Sequence, residues 1–206
     1  MRLAAALLLV SAAWGVTASR VTLENNGYTG LVAGIDDRVD VLQCKPILRN
    51  IQRLVSAASE YLYAATNQRA FFGDVTVVVP SSWPRSCTGA DSPGQATTES
   101  YLTSDLRVSS THPVYGSAPW THQTGLCGQP GAFIQLAADY VSTGQTSTHG
   151  DQARVLVHEW ARYRWGVFEE TGYPGDRLYP SFYQESVGRW RPSGCSNAPV
   201  AGVTAP

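Results

Sequence analysis

Val155-Leu156-Val157-His158-Glu159-Trp160-Ala161-Arg162-Tyr163-Arg164-Trp165-Gly166-Val167-Phe168-Glu169-Glu170 is the stretch on which the reading of this chain turns. His158-Glu159 has the form that opens H-E-x-x-H. In that pattern two imidazoles at i and i+4 share one helix face and grip zinc, and the glutamate serves as general base. Position i+4 here is Arg162. A guanidinium offers no lone pair to a metal and keeps its charge at every relevant pH. The stretch therefore specifies the helix of a zinc-dependent protease and withholds one of its ligands.

The flanks support a helix. Asp151, after Gly150, is a capping residue. Val155, Leu156, Trp160 and Tyr163 supply a buried side, and Gly166 is a stop that tolerates positive φ. Upstream, residues 143–150 form a polar loop. Ala132-Phe133-Ile134-Gln135-Leu136 alternates as a strand does, Leu106-Arg107-Val108 is a short strand, and residues 112–131 are rich in turn residues. Phe71-Phe72 with Val75-Thr76-Val77-Val78-Val79 is the strongest strand signal, closed by Pro80 and followed by a Ser/Thr/Gly/Pro-rich loop over 81–100. A long helix is expected over 45–65. Pro46 sits at its start, and Leu48, Ile51, Val55, Ala58 and Leu62 form one apolar stripe. Leu31-Val32-Ala33-Gly34-Ile35 is a buried strand. After Glu170 the chain is irregular. This mixed order argues α+β or α/β, with helices against a modest sheet.

The chain has 206 residues, 15% of them charged, and a net charge of −1, with no basic patch, so nucleic acid is not an expected partner. Arg2, the apolar run over 3–10 and Val16-Thr17-Ala18 have the layout of a secretory signal cleaved after Ala18. A secreted, extracellular product is therefore expected. No stretch reaches the about 18 apolar residues of a membrane-spanning helix, so no membrane span is expected. Four cysteines suggest two disulfides, with three possible connectivities.

The ordered series of motifs resembles the N-terminal metalloprotease-like domain of the calcium-activated chloride channel regulator (CLCA) family. The matching pieces are Asn26-Gly27-Tyr28, Leu31 through Asp36, Ile51-Gln52-Arg53-Leu54-Val55 and residues 75–83. They continue with Pro119-Trp120-Thr121, Gly125-Leu126-Cys127-Gly128, the His158 helix through Phe168, and Cys195-Ser196. The resemblance implies an α+β, zincin-like (metzincin-type) fold: a twisted mixed sheet packed with a long first helix and an active-site helix. It implies a signal peptide over 1–18, the domain over 19–198 and a tail over 199–206 that stops before further domains. The family has a von Willebrand factor A domain with an Asp-x-Ser-x-Ser motif, and this chain has none. Metzincins place a methionine turn under the metal, whereas the only methionine here is Met1.

The family's pattern, H-E-x-x-H-x-x-x-G-x-x-D-E, carries over residue by residue. His158 is the first zinc ligand and Glu159 the base. Arg162 stands at the lost ligand position, Gly166 is the glycine, Glu169 replaces the aspartate ligand, and Glu170 is the last acid. Cys127 and Cys195 have counterparts in the family and are paired on that ground, which leaves Cys44 with Cys87.

Two unit charges about 4 Å apart interact by roughly 4 kcal/mol at an effective dielectric of about 20, and a divalent ion beside Arg162 feels about twice that as repulsion. Arg162 either turns inward to Glu159 or Glu169, or swings out into solvent; the cost of unpaired buried carboxylates favours the inward position. His112, His122 and His149 are expected on loops or surface, Glu170 and Asp176 in solvent. Trp160, Trp165 and Phe168 are expected to pack rather than to wall a substrate. Two functions follow. One is a catalytically impaired, binding or regulatory module with zinc absent or weakly held. By resemblance it is linked to calcium-activated chloride conductance through a protein partner such as a chloride channel. The other is an active, self-cleaving zinc endopeptidase with a non-standard ligand set.

Overall fold

A computed structural model describes residues 21–88, 94, 96–126, 128–144, 149–167, 172, 175, 177 and 180–193. The architecture is α+β, with mixed sheets and one long helix. Strands β1 (Thr22–Glu24) and β2 (Gly27–Thr29) form a hairpin. Its turn is Asn25-Asn26, both at positive φ (48° and 67°), as a two-residue hairpin loop with the twist of its strands requires. β3 (Leu31–Ile35) is buried at every residue, which is why its sequence is a continuous apolar run rather than an alternating one.

Helix α1 (Cys44–Ala65) begins one residue earlier than the sequence suggests. Pro46 still lies in its first turn, where no intrahelical N–H bond is lost. The fully buried stripe is Ile47, Ile51, Leu54, Ala58 and Leu62, while Leu48 and Val55 flank it at partial burial. The expected stripe was thus rotated slightly toward solvent. β4 (Phe71–Phe72) joins β2 in parallel, and β5 (Val75–Val78) joins β3 in parallel. A short helix α2 (Arg85–Thr88) interrupts the expected 81–100 loop, and its Cys87 is joined to Cys44 at the start of α1. Cys127 and Cys195 lie outside the described residues.

β6 (Leu106–Ser109), β7 (Trp120–His122) and β8 (Phe133–Ala137) complete a five-stranded sheet in the order β5-β3-β6-β8-β7. All neighbours are parallel except the edge strand β7, which runs antiparallel to β8. Sequence reading missed β7 inside the turn-rich 112–131 segment. It also missed α3 (Ala138–Thr143), which leaves β8 without a break. α4 (Gln152–Trp165) follows, and a small hairpin of β9 (Phe182–Gln184) and β10 (Trp190–Pro192) lies in the segment expected to be irregular. The core lies between the sheet and α1, α3 and α4, filled by Leu31, Ile35, Leu106, Val108, Ile134 and Leu136 from the strands against Ile47, Leu62, Leu156 and Trp160.

Candidate functional site

Helix α4 is fixed at both ends. The Asp151 side chain accepts a bond from the Arg154 amide at 3.0 Å, a standard cap. At the other end Gly166 adopts φ 67°, and its amide donates to the Arg162 carbonyl at 3.2 Å. The segment ahead of β8 is laid across this terminus: Gly131 donates to the Tyr163 carbonyl at 2.8 Å and Gly128 to the Gly166 carbonyl at 3.0 Å. A Cβ at Gly166 would stand 2.4 Å from the Gln129 carbonyl oxygen, so only glycine fits.

Between its caps the helix has two buried faces. Trp160, wholly buried, makes edge contacts with Tyr28 and Phe72, both at 4.9 Å between ring centroids. The Tyr163 hydroxyl donates to Asp105, whose other oxygen accepts from the Val32 amide at 2.9 Å. The second face is polar and turned toward β7. Glu159 and Arg162 are each only 2% exposed. Arg162 Nη1 donates to Glu159 Oε2 at 3.2 Å, and Thr121 Oγ1 on β7 reaches the same oxygen at 2.6 Å. The Thr121 hydroxyl also lies 3.0 Å from the backbone carbonyl of Glu159. It has one proton, so it serves one acceptor at a time. The His158 ring stands outward, its side chain 47% exposed, with Nε2 3.8 Å from Glu159 Oε1. That is ion-pair range for a protonated ring but too long for a hydrogen bond.

A catalytic zinc site needs three lone-pair donors around an open position; at the i+4 position from His158 the helix presents instead the Arg162 guanidinium, paired with Glu159. Among the described residues no three His, Cys, Asp or Glu side chains gather as a ligand set. The other histidines are engaged elsewhere. His112 Nδ1 accepts from the Val114 amide at 3.2 Å, His149 Nε2 lies 3.3 Å from Ser117 Oγ, and His122 stacks on Phe133. Trp165 is exposed at the helix end. Phe168, Glu169, Glu170 and Asp176 lie outside the described residues.

Three residues of this neighbourhood escaped the sequence reading. Thr121 sits in a three-residue strand too short to show alternation. Asp105 directly precedes the β6 pattern, and its burial depends on Tyr163, 58 positions away. Tyr140 is on α3. Burial first, then the charges of Asp151 and Glu159, push its hydroxyl far above the ordinary tyrosine range, so it stays neutral beside the acidic groups.

The fold and site define an α+β domain with mixed sheets, in which a helix carrying His158-Glu159 places Arg162 against Glu159. The profile described as "Calcium-activated chloride channel N terminal" matches residues 21–204. The chain belongs to this CLCA family. It is 37% identical to calcium-activated chloride channel regulator 1 of Homo sapiens over 186 residues, which is 90% of this chain and 19% of that protein. Over 152 residues it is 36% identical to the Mus musculus regulator 1, covering 74% of this chain and 16% of that protein. Regulator 2 of Homo sapiens is 32% identical over 178 residues, 86% of this chain and 18% of that protein. The chain thus spans less than a fifth of the length of these relatives. No solved structure matches it.

Proposed function

We propose that this chain is a secreted regulatory module on a zincin-like scaffold, with its protease site neutralised by its own Arg162. The single observation that carries the reading is the buried Glu159–Arg162 contact at 3.2 Å. A base held in an ion pair and by a threonine hydroxyl is not placed to take a proton from water, and a divalent ion at this position meets a fixed positive charge. A sheet with one antiparallel edge strand beside the His-Glu helix favours the scaffold assignment. The layout of residues 1–18 supports secretion, and the relatives' names, regulators of a calcium-activated chloride channel, support a chloride channel as the protein partner.

Metal analysis of the purified chain, with and without Arg162→His, tests this. The expected result is less than 0.1 zinc per chain, on the order of background, for the unmodified protein and a gain of zinc for Arg162→His. One zinc per unmodified chain, with casein or self-cleavage abolished by Glu159→Gln, would establish the endopeptidase instead.

A further inference from the structure

We infer that the outer face of β6, β8 and β7 is a docking surface for the acidic side chains of an extended peptide, anchored by Arg107. Side chains alternate across a sheet. Leu106, Val108, Ile134 and Thr121 point to the core, so Arg107, Phe133, His122 and Trp120 share the opposite face, and each of these four is half-buried. They form one stacked row. The Arg107 guanidinium carbon lies 3.9 Å from the Phe133 ring centroid. His122 lies nearly parallel to Phe133 at 5.0 Å, Trp120 is 6.0 Å from His122, and Tyr115 stacks on Trp120 at 4.8 Å.

Arg107 is the unbalanced member. Its Nε donates to the Ser104 carbonyl at 3.2 Å and its Nη2 to the Leu102 carbonyl at 2.5 Å. Nη1 has no hydrogen-bond partner, and no carboxylate lies within ion-pair distance of this guanidinium among the described residues. Burial holds the group below the ordinary arginine range, the direction expected of a cation that has lost water without gaining a full counter-charge. It remains charged. Two carbonyls and an aromatic plane fix its orientation, so a carboxylate arriving at Nη1 finds a donor whose ordering cost is already met. The aromatic row beyond it, crossing three strands spaced about 4.8 Å apart, gives apolar seats for the residues flanking that acid. One cation in a row of rings suits a peptide of alternating acidic and apolar residues. A nucleic-acid backbone would require several cations along its track.

Calorimetric titration of the purified chain with two peptides tests this: Ac-Glu-Phe-Glu-Phe-Glu-NH2 and its counterpart with every Glu replaced by Gln. The Glu peptide is expected to bind at least about ten-fold more tightly at low salt, with the advantage shrinking as salt rises. Arg107→Gln is expected to bring the ratio to about one, while Arg107→Lys keeps part of it. The comparison on unmodified protein stands even where a variant misfolds. Equal affinity for the two peptides, absence of binding by both, a preference that survives Arg107→Gln, or tighter binding of an oligothymidylate would each overturn the proposal.

Discussion

Replacing Arg162 by methionine removes a charge from the interior and little volume. The two groups stand 3.2 Å apart, with side-chain exposures of 3% and 2%. At an effective dielectric of about 20 their attraction is roughly 5 kcal/mol. Most of this is offset by the desolvation of both ions, so the pair as a whole is worth little against an apolar pair of the same shape. Losing one partner is different, because Glu159 then stays buried without the Arg162 charge beside it, at a cost of about 3–5 kcal/mol. In a domain of this size 1 kcal/mol moves the thermal midpoint by about 2–4 °C, so Arg162→Met should lower it by roughly 6–20 °C. Thr121 still donates to the carboxylate and places the expected loss toward the lower end. Combining Arg162→Met with Glu159→Gln removes the buried carboxylate charge as well while keeping an acceptor for Thr121, and should recover about half of the loss or more. Thermal and urea unfolding of the four proteins measures the cycle. A single variant within about 2 °C of the parent, or a double variant no better than the single, refutes the idea that these two charges balance each other.

Three further outcomes follow from the same geometry. The Cys44–Cys87 bond closes a loop with a sequence separation of 43; its removal by a double serine substitution should cost about 4 kcal/mol by chain entropy, read from the urea midpoint. Gly166→Ala should cost more than about 2 kcal/mol, from the positive φ and the crowding against Gln129, with the loss visible in helical circular dichroism near the midpoint. Burial first, then the Arg107 charge, hold His122 below its ordinary value of 6.5. The unfolded chain therefore binds the proton more readily, and the stability this residue contributes is full above about pH 6.5 and is lost as pH falls below it toward the folded value. His122→Gln should flatten that part of the urea-midpoint profile between about pH 7 and 5, and an unchanged profile counts against it.

The parts of the fold that were legible in the sequence are those whose pattern is local. The run Leu31–Ile35, the 22 residues of α1 and the caps at Asp151 and Gly166 each carry their signal within a few positions. β7 did not, because three residues between turns are too few to show alternation, and its place is set by pairing with β8. α3 was hidden because Ala137 and Ala138 carry the chain from strand to helix with neither a turn residue nor a side-chain cap. At the site, the i, i+3 spacing made the meeting of Glu159 and Arg162 foreseeable. The Thr121 contact, 38 positions away, was not foreseeable, since only the folded sheet brings β7 to the helix.

Thr121 stands between Trp120 and His122, whose rings lie on the far side of the sheet, while its own hydroxyl reaches through to Glu159. The ladder to β8 thus holds two aromatic rings on one side of the sheet and the hydroxyl that reaches the buried carboxylate on the other, so a strand of only three residues furnishes both surfaces.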